Sequence, residues 1–148
     1  MKSEPNVYGI EDLKKEKTTL WDGIRNYQAR NFMRTMQLGD KVFFYHSNCK
    51  PPGIVGLMEV IEINLLDPTQ FDPNSKYFDP RSNKENPRWD CARVKYLGKF
   101  KDKLSLQMLS EKYSADELKV VQKGNRLSIL PIQQKTALQL SRDLGELV

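Results

Sequence analysis

An α+β domain built on a strongly bent sheet or small barrel is the fold that this sequence predicts. Three observations carry the reading. KVFFYHS (41–47) and CARVKYLGKF (91–100) are short runs rich in aromatic and β-branched residues, the composition of strands. NYQARNFMRTM (26–36) sets Ala29, Phe32, Met33 and Met36 at helical spacing, which gives one apolar stripe. The 148 residues contain no repeat, low-complexity tract or linker, so they fit one domain, 1–148, with its own core and strands and helices interleaved along it.

Taken in order, the first residues begin a strand that Ser3-Glu4-Pro5 interrupts, and Ser3 or Asn6 is placed to cap a helical turn around Ile10–Lys14. The helix in 26–36 stops at Gly39, and Asp40 leads into the strand at 41–47. Pro51-Pro52-Gly53 turns the chain, so IVGLMEVIEIN (54–64) is expected to be the partner strand. Residues 67–89 are dense in Pro, Asp and Asn, yet Phe71, Tyr77, Phe78 and Trp89 argue that this long loop packs down. Residues 91–100 form the next strand, two short helices fall within Ser105–Val121, and RLSILPI (126–132) is expected to be a last strand. A terminal helix runs from about Gln133 to Leu144, with Ala137, Leu140 and Leu144 inward.

Composition narrows the function classes. The content is 39% hydrophobic and mean hydropathy is −0.65, values of a soluble globular protein. No apolar run approaches the ~18 residues of a membrane span, and MKSEPNVYG lacks the apolar stretch of a signal peptide. The expected location is cytoplasmic, or nuclear in a eukaryote. Cys49 and Cys91 stand apart without a CxxC and are expected to be reduced thiols. The net charge of +5 is concentrated: residues 81–103 hold eight Lys and Arg against three acids. That ribbon suits a polyanion, or is a solvated face.

His46 is the only histidine. Metal binding is not expected, because zinc takes three or four nitrogen or sulfur ligands in recognisable pairing. Ser47 beside His46 makes no triad, since neighbouring strand residues point to opposite faces. No GxSxG elbow, phosphate-cradling glycine loop or dinucleotide fingerprint is present. Val42, Phe44 and His46 share one strand face and Phe43, Tyr45 and Ser47 the other. Both faces are largely apolar, which predicts cover on both sides. His46 is then a core histidine or a pocket wall at the strand end, where His46, Ser47, Asn48 and Lys50 gather.

MKSEP (1–5), WDGIRNYQARNFMR (21–34), GDKVFFYHSN (39–48), PGIVG (52–56), QFDP (70–73), NPRW (86–89) and GNRLSILPI (124–132) together resemble the EVE domain family, that of thymocyte nuclear protein 1 and its bacterial relatives. The resemblance spans nearly the whole chain in order. It implies a PUA-like fold, a small bent β-barrel flanked by helices, related to PUA, ASCH and YTH domains. It also implies a pocket that reads modified bases such as 5-methylcytosine derivatives in DNA. Relatives carry a Tyr-Trp ahead of KSEP, so the first strand is expected to be short here.

The residue types agree with that implication. An extruded base needs an aromatic slot and a few fixed donors and acceptors for its edge. Trp21 and Trp89 are expected to bound the slot, with Ser3, Asn26, Tyr45, His46, Ser47 and Asn48 as neutral recognition groups. Arg25, Arg30, Lys50, Arg88 and Arg93 are expected to hold the backbone. Each has a plainer role open to it: Trp21 stapling the helix at 26, Trp89 anchoring the Pro-rich loop, Arg34 pairing with a nearby acid. The expectation is a non-enzymatic, monomeric module, without metal or cofactor, that binds a modified base in nucleic acid, DNA ahead of RNA. An enzyme acting on RNA or a nucleotide, or a binder of a small heterocyclic metabolite, is the alternative.

Overall fold

Two long antiparallel strands, β4 (Gly53–Leu66) and β5 (Asp90–Ser105), form the spine of the fold in the computed structural model, which describes all 148 residues. Around them lie β1 (Lys2–Ser3), α1 (Ile10–Glu16), β2 (Thr18–Leu20), α2 (Tyr27–Arg34), β3 (Lys41–His46), α3 (Leu106–Lys112) and α4 (Gln134–Leu144). Short 3-10 turns stand at Pro68–Phe71 and Lys119–Val121. The sheet order is β1-β3-β4-β5-β2, antiparallel except for the parallel β1–β3 pair. Four register shifts along β4 and β5 interrupt the ladder, and such bulges bend and twist strands of this length.

The α+β architecture matches the expectation, but the sheet does not close into a barrel. β1 and β2 are its free edges. The stretch at 126–132 is not a strand either. It is irregular, with a bend at Ser128, and contributes one bond to β1, from Lys2 N–H to Ser128 O at 2.8 Å. Conversely, β2 was not expected. Its three residues are too few to show a strand pattern and are held by pairing to Arg93–Lys95 of β5.

The alternation of β3 sorts its side chains into two cores. Val42 and Phe44 join Met58, Val60, Ala92 and Val94 under α1 and α2, where Leu13 and Ala29 are fully buried. Tyr45 faces the other way, with Ile54, Phe100, Leu109, Leu140 and Leu144 beneath α3 and α4. Fully burying a large apolar side chain is worth roughly 1.5–3 kcal/mol, so both faces stabilise the same strands. The strand is covered on both sides, as its composition predicts.

Helix starts follow local chemistry. Asn26 Oδ1 accepts from Ala29 N–H at 3.0 Å and caps α2. Ser105 caps α3 through Met108 N–H. At α1 the cap residue is Gly9, whose N–H donates to the Asp12 carboxylate at 2.8 Å. Ser3 does not cap that helix; its hydroxyl donates to Tyr8 O at 2.6 Å.

Candidate functional site

Where the sheet fails to close, a cleft opens. A cavity of about 980 Å³ lies between the two edges, lined by Lys2 and Ser3 of β1 and by Thr19 and Leu20 of β2. Tyr8, Glu16, Trp21–Ile24, Ser47, Asn48, Lys76, Tyr77, Arg126 and Ser128 complete most of its wall. Ligand sites usually measure about 300–1,000 Å³, so this one is at the roomy end.

The walls are held by specific bonds. Ser47 N–H donates to Ser3 O at 3.0 Å, which ties the end of β3 to β1. Asn48 adopts a left-handed φ of 51°, which Asn tolerates, and its amide donates to Glu4 at 3.3 Å. Tyr8 O–H donates to Glu16 at 2.8 Å. Burial raises the phenol's pKa, so Tyr8 stays protonated. Opposite, the Tyr77 ring lies against Gly23, whose φ is +78°; a Cβ there would sit 2.7 Å from the ring. Only glycine combines that conformation with that approach.

Arg25 fixes Tyr77 in turn. Its Nε and Nη2 both donate to Tyr77 O, at 2.9 and 2.7 Å. Nη1 donates to Ile24 O and to the buried Asp67 carboxylate, at 2.8 and 2.9 Å, and Nη2 also donates to Thr69 Oγ1 at 3.0 Å. A guanidinium has five N–H donors, and all are used within the protein. Arg25 is therefore a staple of the cleft wall and is not available to a phosphate.

Asp22 is set between two pinned neighbours. Trp21 N–H donates to Ala92 O at 2.8 Å, and Gly23 N–H donates to Asp67 at 2.8 Å. The Asp22 carboxylate itself bonds to no other side chain. Burial raises its pKa, Asp67 adds to that, and Arg25 opposes it.

Of the expected base-reading residues, Ser3, Trp21, Ser47 and Asn48 line the cleft. Trp21 does so as a core residue, 7% exposed and edge-on to Phe44 at 5.3 Å. The other four do not reach it. Asn26 spends its carbonyl on the α2 cap. Tyr45 turns into the second core because strand alternation carries it away. His46 packs edge-on to Phe44 at 5.5 Å, and its Nε2 accepts from Ile10 N–H at 3.1 Å. Trp89 is 3% exposed, donates to Asp79 at 2.7 Å and stacks on Tyr27 at 4.7 Å. It anchors the Pro-rich loop, the plainer of its two roles.

The expected backbone contacts divide similarly. Arg93 pairs with Glu62 across the strands at 2.5 Å. Arg30 stacks over Tyr27 at 4.6 Å and donates to Arg88 O at 2.9 Å. Arg88 points its guanidinium at the Tyr27 hydroxyl, 3.4 Å away, and Lys50 stands exposed on its turn. The ribbon at 81–103 is partly neutralised: Arg81 faces Asp79 at 3.7 Å and Lys99 pairs with Glu11 at 2.5 Å. Arg34 pairs with Asp90, as its helix position allowed. The cations at the cleft are instead Lys2, Lys76 and Arg126, and Tyr8, Thr19, Asp22 and Tyr77, none of them an expected site residue, also line it. Tyr77 was visible in sequence only as one aromatic in a polar loop, and nothing in Thr19 or Arg126 sets them apart until the fold gathers them.

Comparison with known proteins gives this geometry a context. The family model for the EVE domain matches residues 1–142. Human thymocyte nuclear protein 1 is 43% identical over 91% of this chain and 68% of its own length. The rat protein of that name is 40% identical, and this chain spans 64% of it. Among solved structures, a Pseudomonas syringae protein superposes with a TM-score of 0.93 at 40% identity, over 98% of this chain and 97% of that one. Human THYN1 protein, solved in complex with 5-methylcytosine containing DNA, gives a TM-score of 0.88 at 42% identity over 99% and 96%. With the family model matched over residues 1–142 of the chain and relatives at this identity, the chain belongs to the EVE domain family.

Proposed function

We propose that this protein is a non-enzymatic reader of a modified base in DNA, of the 5-methylcytosine type, and that the base enters the cleft between β1 and β2. The observation that carries the reading is the cleft's make-up. Tyr8, Trp21 and Tyr77 supply apolar and aromatic surface, and Ser3, Thr19, Ser47 and Asn48 supply neutral polar groups. At about 980 Å³ it accommodates a nucleotide with its sugar and phosphate more naturally than a bare heterocycle. Lys76 and Arg126 line the cleft and form no ion pair with an acid, and in this reading they meet the DNA backbone. The likeness to human THYN1 protein bound to 5-methylcytosine containing DNA supports the same ligand class.

Arg30 and Arg88, beside the 47% exposed Tyr27, form a second cationic edge a few residues along the chain from Ile24. In this reading they hold flanking phosphates, whereas Arg25 and Arg93 are spent within the fold.

The test is titration of labelled oligonucleotides, matched in sequence and differing by one 5-methyl group, across a salt series. The expected result is salt-dependent binding with a preference for the methylated base of about tenfold or less, since one methyl contributes only ~1 kcal/mol. Tyr77→Ala should lose that preference, and Arg126→Glu should weaken methylated and plain DNA alike. Equal binding of both oligonucleotides by the parent protein, or a new product in mass spectra after long incubation, would overturn the reading.

A further inference from the structure

We infer that Asp22 is the group that distinguishes a cytosine-type base from a thymine-type base in this cleft, by accepting a hydrogen bond from the exocyclic N4 amino group. The inference rests on the reading of the cleft as a base site and adds the recognition element to it.

Three carboxylates line the cleft, and two have partners. Glu16 accepts from the Tyr8 hydroxyl at 2.8 Å and Glu4 from the Asn48 amide at 3.3 Å. Asp22 is the one left without a side-chain donor. Its backbone is fixed by bonds on both sides. The residue before it is bonded to Ala92 O of β5, and the residue after it to the buried Asp67 carboxylate, each at 2.8 Å. Arg25 locks Asp67 from the other side at 2.9 Å. A group fixed by its neighbours is placed before the ligand arrives, so little ordering is required at binding.

The chemistry then selects the ligand. Cytosine and 5-methylcytosine present an N4 amino donor where thymine presents the O4 acceptor, and a carboxylate is the usual partner for the former. Opposite O4 the same carboxylate would face a lone pair, with no proton between them. 5-Methylcytosine and thymine carry the same methyl group, so apolar contact with Trp21 or Tyr77 cannot separate them. Exchange of one donor for one acceptor can.

The experiment compares the parent protein with Asp22→Asn on two oligonucleotides that differ only in 5-methylcytosine or thymine. Each base is placed opposite an abasic site, so that pairing energy does not enter. The parent should favour 5-methylcytosine by about fivefold or more, the discrimination expected of a well-placed base contact. Asp22→Asn carries an amide donor that O4 accepts, so the ratio should fall to near one or invert, while the salt dependence and melting temperature stay those of the parent. A folded Asp22→Asn protein that keeps the parental ratio overturns the assignment of Asp22 and leaves the base-site reading standing. A parent that binds neither oligonucleotide overturns the base-site reading itself.

Discussion

At His46 a single hydrogen bond decides the residue's role. Its Nε2 accepts from Ile10 N–H, one of the donors that the first turn of α1 leaves without a helical partner. An imidazole can accept only when that nitrogen is unprotonated. Burial lowers the His46 pKa from 6.5, Lys103 and Lys99 lower it further, and Glu11 opposes them. The unfolded chain therefore binds more protons than the native protein just below pH 6.5, and stability rises with pH through that window. The expected outcome is that the contribution of His46 is complete above pH 6.5 and is lost as pH falls below it. His46→Gln, which retains an acceptor, should flatten that part of the pH–stability curve in thermal melts. His46→Leu should cost about 1–3 kcal/mol at pH 7.5, because a buried N–H is left unpaired. Sequence reading held both roles open for this residue. What decided between them was the return of α1 across β3, 36 residues away in the chain, which local pattern does not encode.

The element that sequence describes least well is the loop from Asp67 to Trp89, and Gln70 organises it. Gln70 is fully buried. Its amide donates to Asp67 O and Trp89 O, both at 2.7 Å, and its carbonyl oxygen accepts from Ser82, Arg88 N–H and Trp89 N–H. A polar residue in a Pro-rich stretch gives no sign of this, because its partners lie up to 19 residues along the chain. Gln70→Leu keeps the approximate volume and removes every bond, so it should destabilise the protein by about 3 kcal/mol or more in urea unfolding. Trp89→Ala should cost about 3–5 kcal/mol through the cavity it leaves. A loss of DNA binding in that variant would thus follow from unfolding of the loop. Arg25→Lys supplies three donors where five are used. Hydrogen exchange should then quicken around Tyr77, with α3 and α4 unchanged. By contrast, α2 was legible from its stripe, of which Ala29 and Met33 are buried, although Asn26, expected as a recognition group, is its cap. Such an element needs only its own periodicity and its cap.

Across the whole molecule, the proposed function depends on what the sheet leaves unpaired. β4 and β5 are long enough to bend the sheet, yet the outer strands are two and three residues long and cannot complete a ring. The gap receives residues from both ends of the chain, Ser3 and Ser128 among them. That is why the fold class could be read from strand and helix patterns, while the cleft could be read only in part. Ser3, Ser47 and Asn48 stand at strand ends and could be named from that. Tyr77 and Arg126 come from irregular segments whose course is set by long-range bonds. The central claim is that nucleic acid meets the protein at this gap. The most direct measurement is an amide NMR titration of the protein with a 5-methylcytosine oligonucleotide. The account predicts that the largest shifts fall on Ser3, Thr19–Gly23, Ser47, Asn48 and Tyr77. Shifts gathered instead around the second core, on Leu118–Val120 and Ile132, with the cleft residues unmoved, would contradict it.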